Sequence, residues 1–221
     1  LEEEGYGRRE NCRRCETNIP TMVDVACGKW GVPDGKKATF IEVCSEKGAK
    51  LVEEAIKAGC IKTEQPDGKA VEVRKRKDED AVKLARKWQE KDFNNLKSMS
   101  VNEKFDYWVG QFRQCIKCFG CRDACPICYC KECYLEAWRG FVRRGEVPPN
   151  ITFSLIRITH VADSCVNCGQ CQDVCPAEIP LSTLCHMLNR ELSQVFEYIP
   201  GARVDQEPPL VVPVMEELKV G

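Results

Sequence analysis

Two cysteine-rich runs of identical spacing constrain this chain of 221 residues more than any other feature. The first run begins at Cys115 and the second at Cys165, and each reads C-x2-C-x2-C-x3-C-P. This spacing is typical of chains that bind iron–sulfur clusters through cysteine thiolates. Because the run occurs twice and each copy ends in Cys-Pro, we expect two 4Fe-4S clusters and a chain that transfers electrons.

The two runs also predict which cysteines share a cluster. In two-cluster ferredoxins, the first three cysteines of a run bind one cluster and the fourth binds the other. Applied to this sequence, cluster one takes Cys115, Cys118, Cys121 and Cys175. Cluster two takes Cys165, Cys168, Cys171 and Cys125.

Composition restricts the compartment and the partners. The 17 cysteines are an odd number and many stand in C-x2-C groups, which favours metal thiolates over a disulfide framework. The net charge of −1 provides no general attraction to nucleic acid. No apolar run approaches the roughly 20 residues that span a bilayer, so we expect no transmembrane segment. Cysteines that bind metals as thiolates and the lack of a signal-like apolar segment lead us to expect a reducing cytoplasm.

A further C-x2-C pair, Cys12 and Cys15, lies near the start of the chain. Two thiolates are half of the four that usually complete a cluster or a structural zinc site. Cys27 and Cys44 are nearby candidates for the remaining ligands, and residues outside this sequence are another source. The pair is therefore a possible partial site of a third cluster, with zinc or free thiols as the alternatives.

The first half of the chain predicts a small α/β unit. Residues 23–27, residues 38–43, Ile61 and residues 71–73 have the β-branched character of strands. Ser45 is a suitable N-cap for a helix that ends at Gly59, and an apolar stripe predicts a linker helix over 78–100. We expect residues 1–77 to be the C-terminal piece of an α+β domain.

The second half predicts a mostly helical ferredoxin domain over 101–200, followed by an extended tail over 201–221. Apolar periodicity indicates helices over 101–114, 134–141, 151–162 and 181–196. Helices before, between and after the runs resemble the α-helical ferredoxin domains of heterodisulfide reductase and succinate dehydrogenase. The expected fold class is thus α+β, with a small α/β N-terminal unit and an α-helical two-cluster ferredoxin domain.

Some cysteines and histidines are left without an assigned role. Four further thiols are enough to ligate another iron–sulfur cluster or a zinc ion, and the alternative is that they are structural. These are Cys128, Cys130, Cys133 and Cys185. His160 and His186 each stand alone on a predicted helix, which favours packing roles over ligation.

Particular motifs add a family resemblance. They are Glu10-Asn11-Cys12-Arg13-Arg14-Cys15, Asp24-Val25-Ala26-Cys27-Gly28, Thr39-Phe40-Ile41-Glu42-Val43, Cys125-Pro126-Ile127-Cys128-Tyr129-Cys130-Lys131-Glu132-Cys133, His160-Val161-Ala162-Asp163-Ser164-Cys165 and Cys175-Pro176-Ala177-Glu178-Ile179-Pro180. With them the chain resembles the C-terminal part of the β subunits of the coenzyme F-420 hydrogenase/dehydrogenase family of methanogenic archaea, among them formate dehydrogenase.

The resemblance implies an oxidoreductase subunit. A partner subunit with molybdenum or tungsten on a pterin would oxidise formate, and the clusters of this chain would carry the electrons. FAD would pair them into a hydride for coenzyme F-420, or they would pass to heterodisulfide reductase subunits. The resemblance places most of the flavin-binding part before Leu1, and it assigns Cys12 and Cys15 to a cluster beside the flavin.

Three other functions are compatible with parts of the sequence. The first is the iron–sulfur linker subunit of an F-420-reducing hydrogenase or of a heterodisulfide reductase complex. The second is a structural zinc protein that binds nucleic acid or other proteins. Its cysteine pairs would be spaced by a dozen or more residues, without the further cysteines and the proline that each run has here. The third, a thiol–disulfide oxidoreductase at Cys12 and Cys15, needs a thioredoxin-like context that the sequence does not provide.

Overall fold

The computed structural model describes residues 3–133, 135 and 151–210. The chain divides into two compact units. The first contains residues 1–7, 13–89 and 201–204, and the second contains residues 8–12, 90–200 and 205–221. The domain boundaries expected from the sequence remain predictions.

The first unit contains the two described strands of the chain. Strand β1 (Val25–Gly28) pairs with β2 (Phe40–Val43) in an antiparallel hairpin, in which Val25 lies opposite Val43. Helix α2 (Glu46–Lys57) follows, and Ser45 is its N-cap because the hydroxyl accepts the Gly48 N–H at 3.0 Å. Position 48 requires glycine, because the Cβ of any other residue would lie 1.9 Å from the Asp24 carbonyl oxygen. The two strands and the helix were expected at nearly these positions.

Helix α3 (Gly68–Ser98) is much longer than the sequence predicted. Residues 71–73, expected to be a strand, lie in its second turn, and Ile61 lies in no strand. The strand prediction was wrong because Asp67 begins a helix here: its carboxylate accepts the Ala70 N–H at 2.7 Å. A Val-Glu-Val alternation of three residues is too short to outweigh that cap. The linker helix therefore starts about ten residues before the expected position 78.

The buried face of α3 within the first unit combines apolar and polar side chains. Ala85 and Trp88 are buried, and so is Gln89, whose amide donates to the Arg14 carbonyl at 2.7 Å. Arg74 is buried as well, and its guanidinium pairs with the Glu42 carboxylate at 2.8 Å. A buried arginine with a charged partner is tolerated because the ion pair offsets its desolvation.

The second unit is helical in its described part. It contains Glu10–Cys12 of helix α1 (Glu10–Arg13), followed by α4 (Val101–Phe112), α5 (Gly120–Asp123), α6 (Ile151–Thr159), α7 (Gln170–Asp173) and α8 (Leu181–Phe196). A capping box between Ser100 and Glu103 begins α4. Three of the expected helices are confirmed at α4, α6 and α8. The fourth, over 134–141, lies outside the described residues apart from Leu135.

The core of the second unit surrounds the cysteine runs. Its main cluster is formed by Phe112, Ile158, Val161, Ile179, Leu181 and Cys185. Helices and a small sheet together confirm the α+β class. Of the expected tail over 201–221, residues 201–210 are described and form turns without helix or strand, and the rest lies outside the described residues. None of the described helices is long and apolar enough to cross a membrane.

Candidate metal centres

The two cysteine runs adopt the same backbone conformation. Lys117 and Asn167 hold equivalent positions between the first two cysteines of each run, with φ of 53° and 54°. Their N–H groups donate to the sulfurs of Cys115 and Cys165, each at 3.4 Å. Left-handed conformations are costly for residues other than glycine. Their repetition in both runs indicates that the loop conformation is set by the contacts between its N–H groups and the cysteine sulfurs.

Each run then turns into a one-turn helix. Phe119 and Gly169 have φ of 66° and 78°, and helices α5 and α7 start directly after them. This turn places the second and third cysteines of each run on one side of the loop. Two left-handed residues within five positions thus wrap each loop around its own sulfur atoms.

Two cavities adjoin these loops. The first cavity is lined by Cys115, Cys118, Cys121 and Cys175, together with apolar side chains such as Phe119, Phe153 and Ile179. The second cavity is lined by Cys165, Cys168, Cys171 and Cys125, and in addition by Cys121 and Cys185. In each cavity, the fourth cysteine of one run thus lies with the first three of the other run. Cys121 borders both cavities, as do Leu181 and Arg157.

Burial and hydrogen bonding give these thiols different acidities. Burial raises the pKa of Cys115 and of Cys168, and it raises the pKa of Cys121 to about 11. A hydrogen bond from the Cys128 thiol lowers the pKa of Cys125 to about 5. A bond from the Cys185 thiol likewise lowers the pKa of Cys165 and of Cys171. Metal ligation deprotonates such thiols, so their loading would release protons.

The side chains around the cavities show whether an iron–sulfur cluster fits there. Arg157 is 5% exposed, and its Nε and Nη1 atoms have no hydrogen-bond acceptor among the described residues. A buried cation with free donors requires a negative partner nearby. Four thiolates around a cluster supply that negative charge, and the main-chain donors to Cys115 and Cys165 suit thiolate sulfur. The residues present therefore fit two iron–sulfur clusters.

A short N-terminal segment of the second unit, residues 8–12, lies against the second run. The Arg9 guanidinium bonds the Cys168 carbonyl at 3.1 Å and the Asp173 carboxylate. The Asn11 amide donates to the Asn167 carbonyl at 3.1 Å, and its oxygen accepts the Ser182 hydroxyl at 3.0 Å. Cys12 follows directly and is exposed.

The other cysteines considered for a third site belong to the first unit. Cys15 is half-buried there, and its thiol donates to the Thr17 carbonyl at 3.5 Å. Cys27 is exposed on β1, while Cys44 follows β2 and is half-buried. Among the described residues, no three histidine, cysteine or acidic side chains converge as ligands of a single metal ion. The role of Cys12 and Cys15 therefore stays a prediction.

The structure adds roles for residues that the sequence left open or did not single out. Cys185 on α8 is buried at the second cavity, and Cys128 hydrogen-bonds Cys125. Arg157 was missed, although it is the one charge in the apolar segment Ile-Thr-Phe-Ser-Leu-Ile-Arg-Ile-Thr of α6, which could have drawn attention to it. His186 packs edge-on against Phe93 at 5.3 Å and His160 is exposed, so both belong to packing or surface.

Each half of the sequence contains a segment that matches a known protein family. Residues 1–69 match the family described as the C terminus of the coenzyme F420 hydrogenase/dehydrogenase beta subunit. Residues 158–180, which contain the whole second run, match the 4Fe-4S binding domain. The family resemblance and the presence of an iron–sulfur binding domain are thereby confirmed.

Individual relatives extend the similarity to nearly the whole chain. The chain is 47% identical over 213 residues to the F420-dependent formate dehydrogenase subunit beta of Methanocaldococcus jannaschii, covering 95% of this chain and 53% of that protein. It is 43% identical over 212 residues to the F420-dependent formate dehydrogenase 1 subunit beta of Methanococcus maripaludis, covering 95% and 52%. The acetyl-CoA decarbonylase/synthase complex subunit alpha 1 of Methanosarcina barkeri is 30% identical over 91 residues, which are 41% of this chain and 9% of that protein. The chain spans about half the length of the two formate dehydrogenase subunits that it matches.

Proposed function

The chain is a relative of the F420-dependent formate dehydrogenase β subunits, and from this premise we propose that it is the C-terminal, electron-transferring part of such a subunit. Its cysteines hold two 4Fe-4S clusters in an α-helical ferredoxin domain. Electrons from formate oxidation on a partner subunit enter these clusters singly and leave toward FAD and coenzyme F-420. Heterodisulfide reductase subunits are the other acceptor that we consider.

One observation carries the proposal: the eight cysteines of the two runs line two cavities in the two sets expected for crossed ligation. Cys175 lies with the first three cysteines of the first run, and Cys125 lies with the first three of the second. Both cavities share Leu181 and Arg157 in their walls, so the two clusters would be neighbours. Closely spaced clusters pass single electrons rapidly, which is what an electron-transfer subunit requires.

The chemistry explains why such a chain works within a complex. Formate oxidation yields carbon dioxide, a proton and two electrons, whereas each cluster accepts one electron at a time. A flavin exchanges either one or two electrons and can therefore convert single electrons into a hydride for coenzyme F-420. This chain would supply the single-electron part, and the flavin and the pterin-bound molybdenum or tungsten would be held by other parts of the complex.

A third cluster at Cys12 and Cys15 is part of the proposal. Cys12 belongs to the segment 8–12, which is held against the second run by Arg9 and Asn11. We place the complex in the cytoplasm, where thiolate ligands stay reduced.

The test is to purify the full β subunit with its partner subunits under anaerobic conditions and to measure iron, sulfide and formate-dependent reduction of coenzyme F-420. Two clusters correspond to about eight iron atoms in this part of the chain, and a third would add about four. Cys118→Ser and Cys168→Ser should each remove one cluster and block electron transfer. Cys60→Ser, which changes an exposed cysteine outside the cavities, is the control.

The alternatives give different results in the same preparation. A protein that binds zinc without iron or sulfide would exclude the electron-transfer function. A co-purifying subunit with nickel and iron but no pterin would identify the hydrogenase linker instead. A preparation that reduces heterodisulfide but not coenzyme F-420 would identify the linker of that reductase.

A further inference from the structure

The second cavity has one more cysteine in its wall than the two cluster assignments use. Besides the four cysteines assigned to cluster two, its lining contains Cys121, which is assigned to cluster one, and Cys185. The described lining of the first cavity contains four cysteines, and all of them are assigned to cluster one. Cys185 lies on α8 and is 5% exposed. It therefore adds an unassigned, buried thiol to the wall of the second cavity.

Two hydrogen bonds on the same side of α8 fix where Cys185 lies. The hydroxyl of Ser182, three residues before Cys185, is 2.7 Å from the side-chain oxygen of Gln172. The amide of Asn189, four residues after Cys185, donates to the Asp163 carbonyl at 2.9 Å. Residues three and four positions apart share one face of a helix. Cys185 thus lies between the two contacts, on the face of α8 that packs against the second run.

These contacts flank two of the four ligands assigned to cluster two. The first contact ends at the residue directly after Cys171, and the second ends two residues before Cys165. Cys165 and Cys171 also pack against the apolar core to which Cys185 belongs, and Cys168 is not among the described side chains that do so. In agreement with this placement, a hydrogen bond from the Cys185 thiol lowers the pKa of Cys165 and of Cys171.

A buried thiol in this position can replace a missing ligand. A 4Fe-4S cluster is held by four thiolates, so the loss of one cysteine leaves one iron atom without its protein ligand. Ligation by a thiol requires only that the thiol lose its proton. The S–H bond of Cys185 breaks, the proton passes to solvent, and a sulfur–iron bond forms. No electron is transferred in this exchange, so it requires neither an oxidant nor a reductant.

We propose that Cys185 is a reserve ligand of cluster two, which binds iron when the thiolate of Cys165 or of Cys171 is missing. While all four ligands are present, Cys185 remains a thiol beside them. Cluster one has no such reserve among the described residues that line its cavity. The inference rests on the proposed function only in requiring that both clusters are present. It does not depend on formate or on coenzyme F-420.

The experiment compares alanine variants of the anaerobically purified complex, because alanine leaves no ligand atom at the replaced position. Iron and sulfide are measured, and electron paramagnetic resonance of the reduced complex detects each cluster. Cys171→Ala should keep the iron content of the native complex and a signal of cluster two with altered g values, since one ligand has changed. Cys171→Ala/Cys185→Ala should lose that signal, and its iron content should fall. The corresponding pair of variants at Cys165 should behave in the same way.

Three single variants are the controls. Cys168→Ala removes a ligand of the same cluster that has no contact with the core around Cys185, so cluster two should be lost although Cys185 is present. Cys118→Ala should likewise remove cluster one, whose cavity has no unassigned cysteine in its described lining. Cys185→Ala alone should keep both clusters. The first two controls also assign the two signals.

Several outcomes would overturn the inference. Loss of cluster two from Cys171→Ala and from Cys165→Ala, as complete as in Cys168→Ala, contradicts it. Retention of the cluster in the double variants also contradicts it, because another group would then complete the site.

A folding defect can be separated from the loss of a ligand. If Cys185→Ala does not assemble into the complex, Cys185→Val replaces it, since valine fills the core without supplying a ligand atom. An assembled Cys185→Val complex that lacks cluster two would exclude a reserve role, because the native cluster would then need Cys185. A native complex without iron would contradict the proposed function instead, and the iron analysis shows this before any variant is compared.

Discussion

The Asn11 side chain donates a hydrogen bond to the Asn167 carbonyl at 3.1 Å and so joins the start of the chain to the loop of the second cysteine run. Asn11 is 5% exposed, and Gly169, two residues after Asn167, packs directly against it. The segment before Cys12 therefore packs against the loop of the second run. This contact explains why the second run needs a glycine where the first run has Phe119.

Gly169→Ala tests this contact. A Cβ at Gly169 would lie 2.6 Å from Asn11 Cγ, and the residue has φ of +78°, so both a clash and backbone strain oppose alanine. We expect a loss of about 2–4 kcal/mol in the free energy of unfolding, measured by urea denaturation of the purified protein without oxygen.

Gly201→Ala is the matched control for that prediction. Gly201 also has φ of +78°, but nothing lies within 4 Å of the position that a Cβ would take, so only the backbone strain of about 1–2 kcal/mol should remain. Equal losses for the two variants would show that the packing of Asn11 against Gly169 contributes nothing.

Cys125→Ser tests the crossed ligation. Cys125 lies in the first run but lines the second cavity, so its replacement should weaken the signal of cluster two and leave that of cluster one. Electron paramagnetic resonance of the reduced protein measures both signals. Loss of the signal that depends on Cys118 would instead show that each run binds its own cluster, and Cys175→Ser provides the reciprocal measurement.

Cys185→Ala separates a ligand from a hydrogen-bond donor. The buried Cys185 thiol contacts Cys165 and Cys171, and we expect its loss to leave the iron content unchanged while lowering the potential of cluster two. A fall in iron would identify Cys185 as a ligand. Joint replacement of Cys128, Cys130 and Cys133 should likewise leave the iron content unchanged unless these residues bind a further metal.

Asp67→Ala tests the early start of α3. Removal of the carboxylate that accepts the Ala70 N–H should destabilise the first unit by about 1 kcal/mol. Asp34→Ala, at another exposed aspartate, is the control and should have an effect below about 0.5 kcal/mol. Equal effects in urea denaturation would contradict the assignment of Asp67 as the cap.

Local signals were sufficient where the residues that decide a structure are close together in the sequence. Ser100 and Glu103 form a capping box, and the apolar periodicity after them predicted α4 nearly to its ends. The same reasoning gave the wrong element for residues 71–73, because a short alternation of apolar residues is compatible with both a strand and an amphipathic helix. The cap at Asp67 lies in Pro66-Asp67-Gly68, a tripeptide that is as typical of a turn as of a helix start.

The cysteine spacing by itself determined the two candidate cluster sites, because a C-x2-C-x2-C-x3-C-P run carries its ligands within a dozen residues and shapes its own loop. Only the tertiary structure decided what surrounds the sulfurs. Arg157 on α6, Cys185 on α8 and Asn11 near the start of the chain all lie outside the runs, and no local pattern specifies which side chain will be buried beside which cysteines. Ligation is a property of short-range spacing, whereas the electrostatic environment of a buried cluster depends on how the helices pack around it.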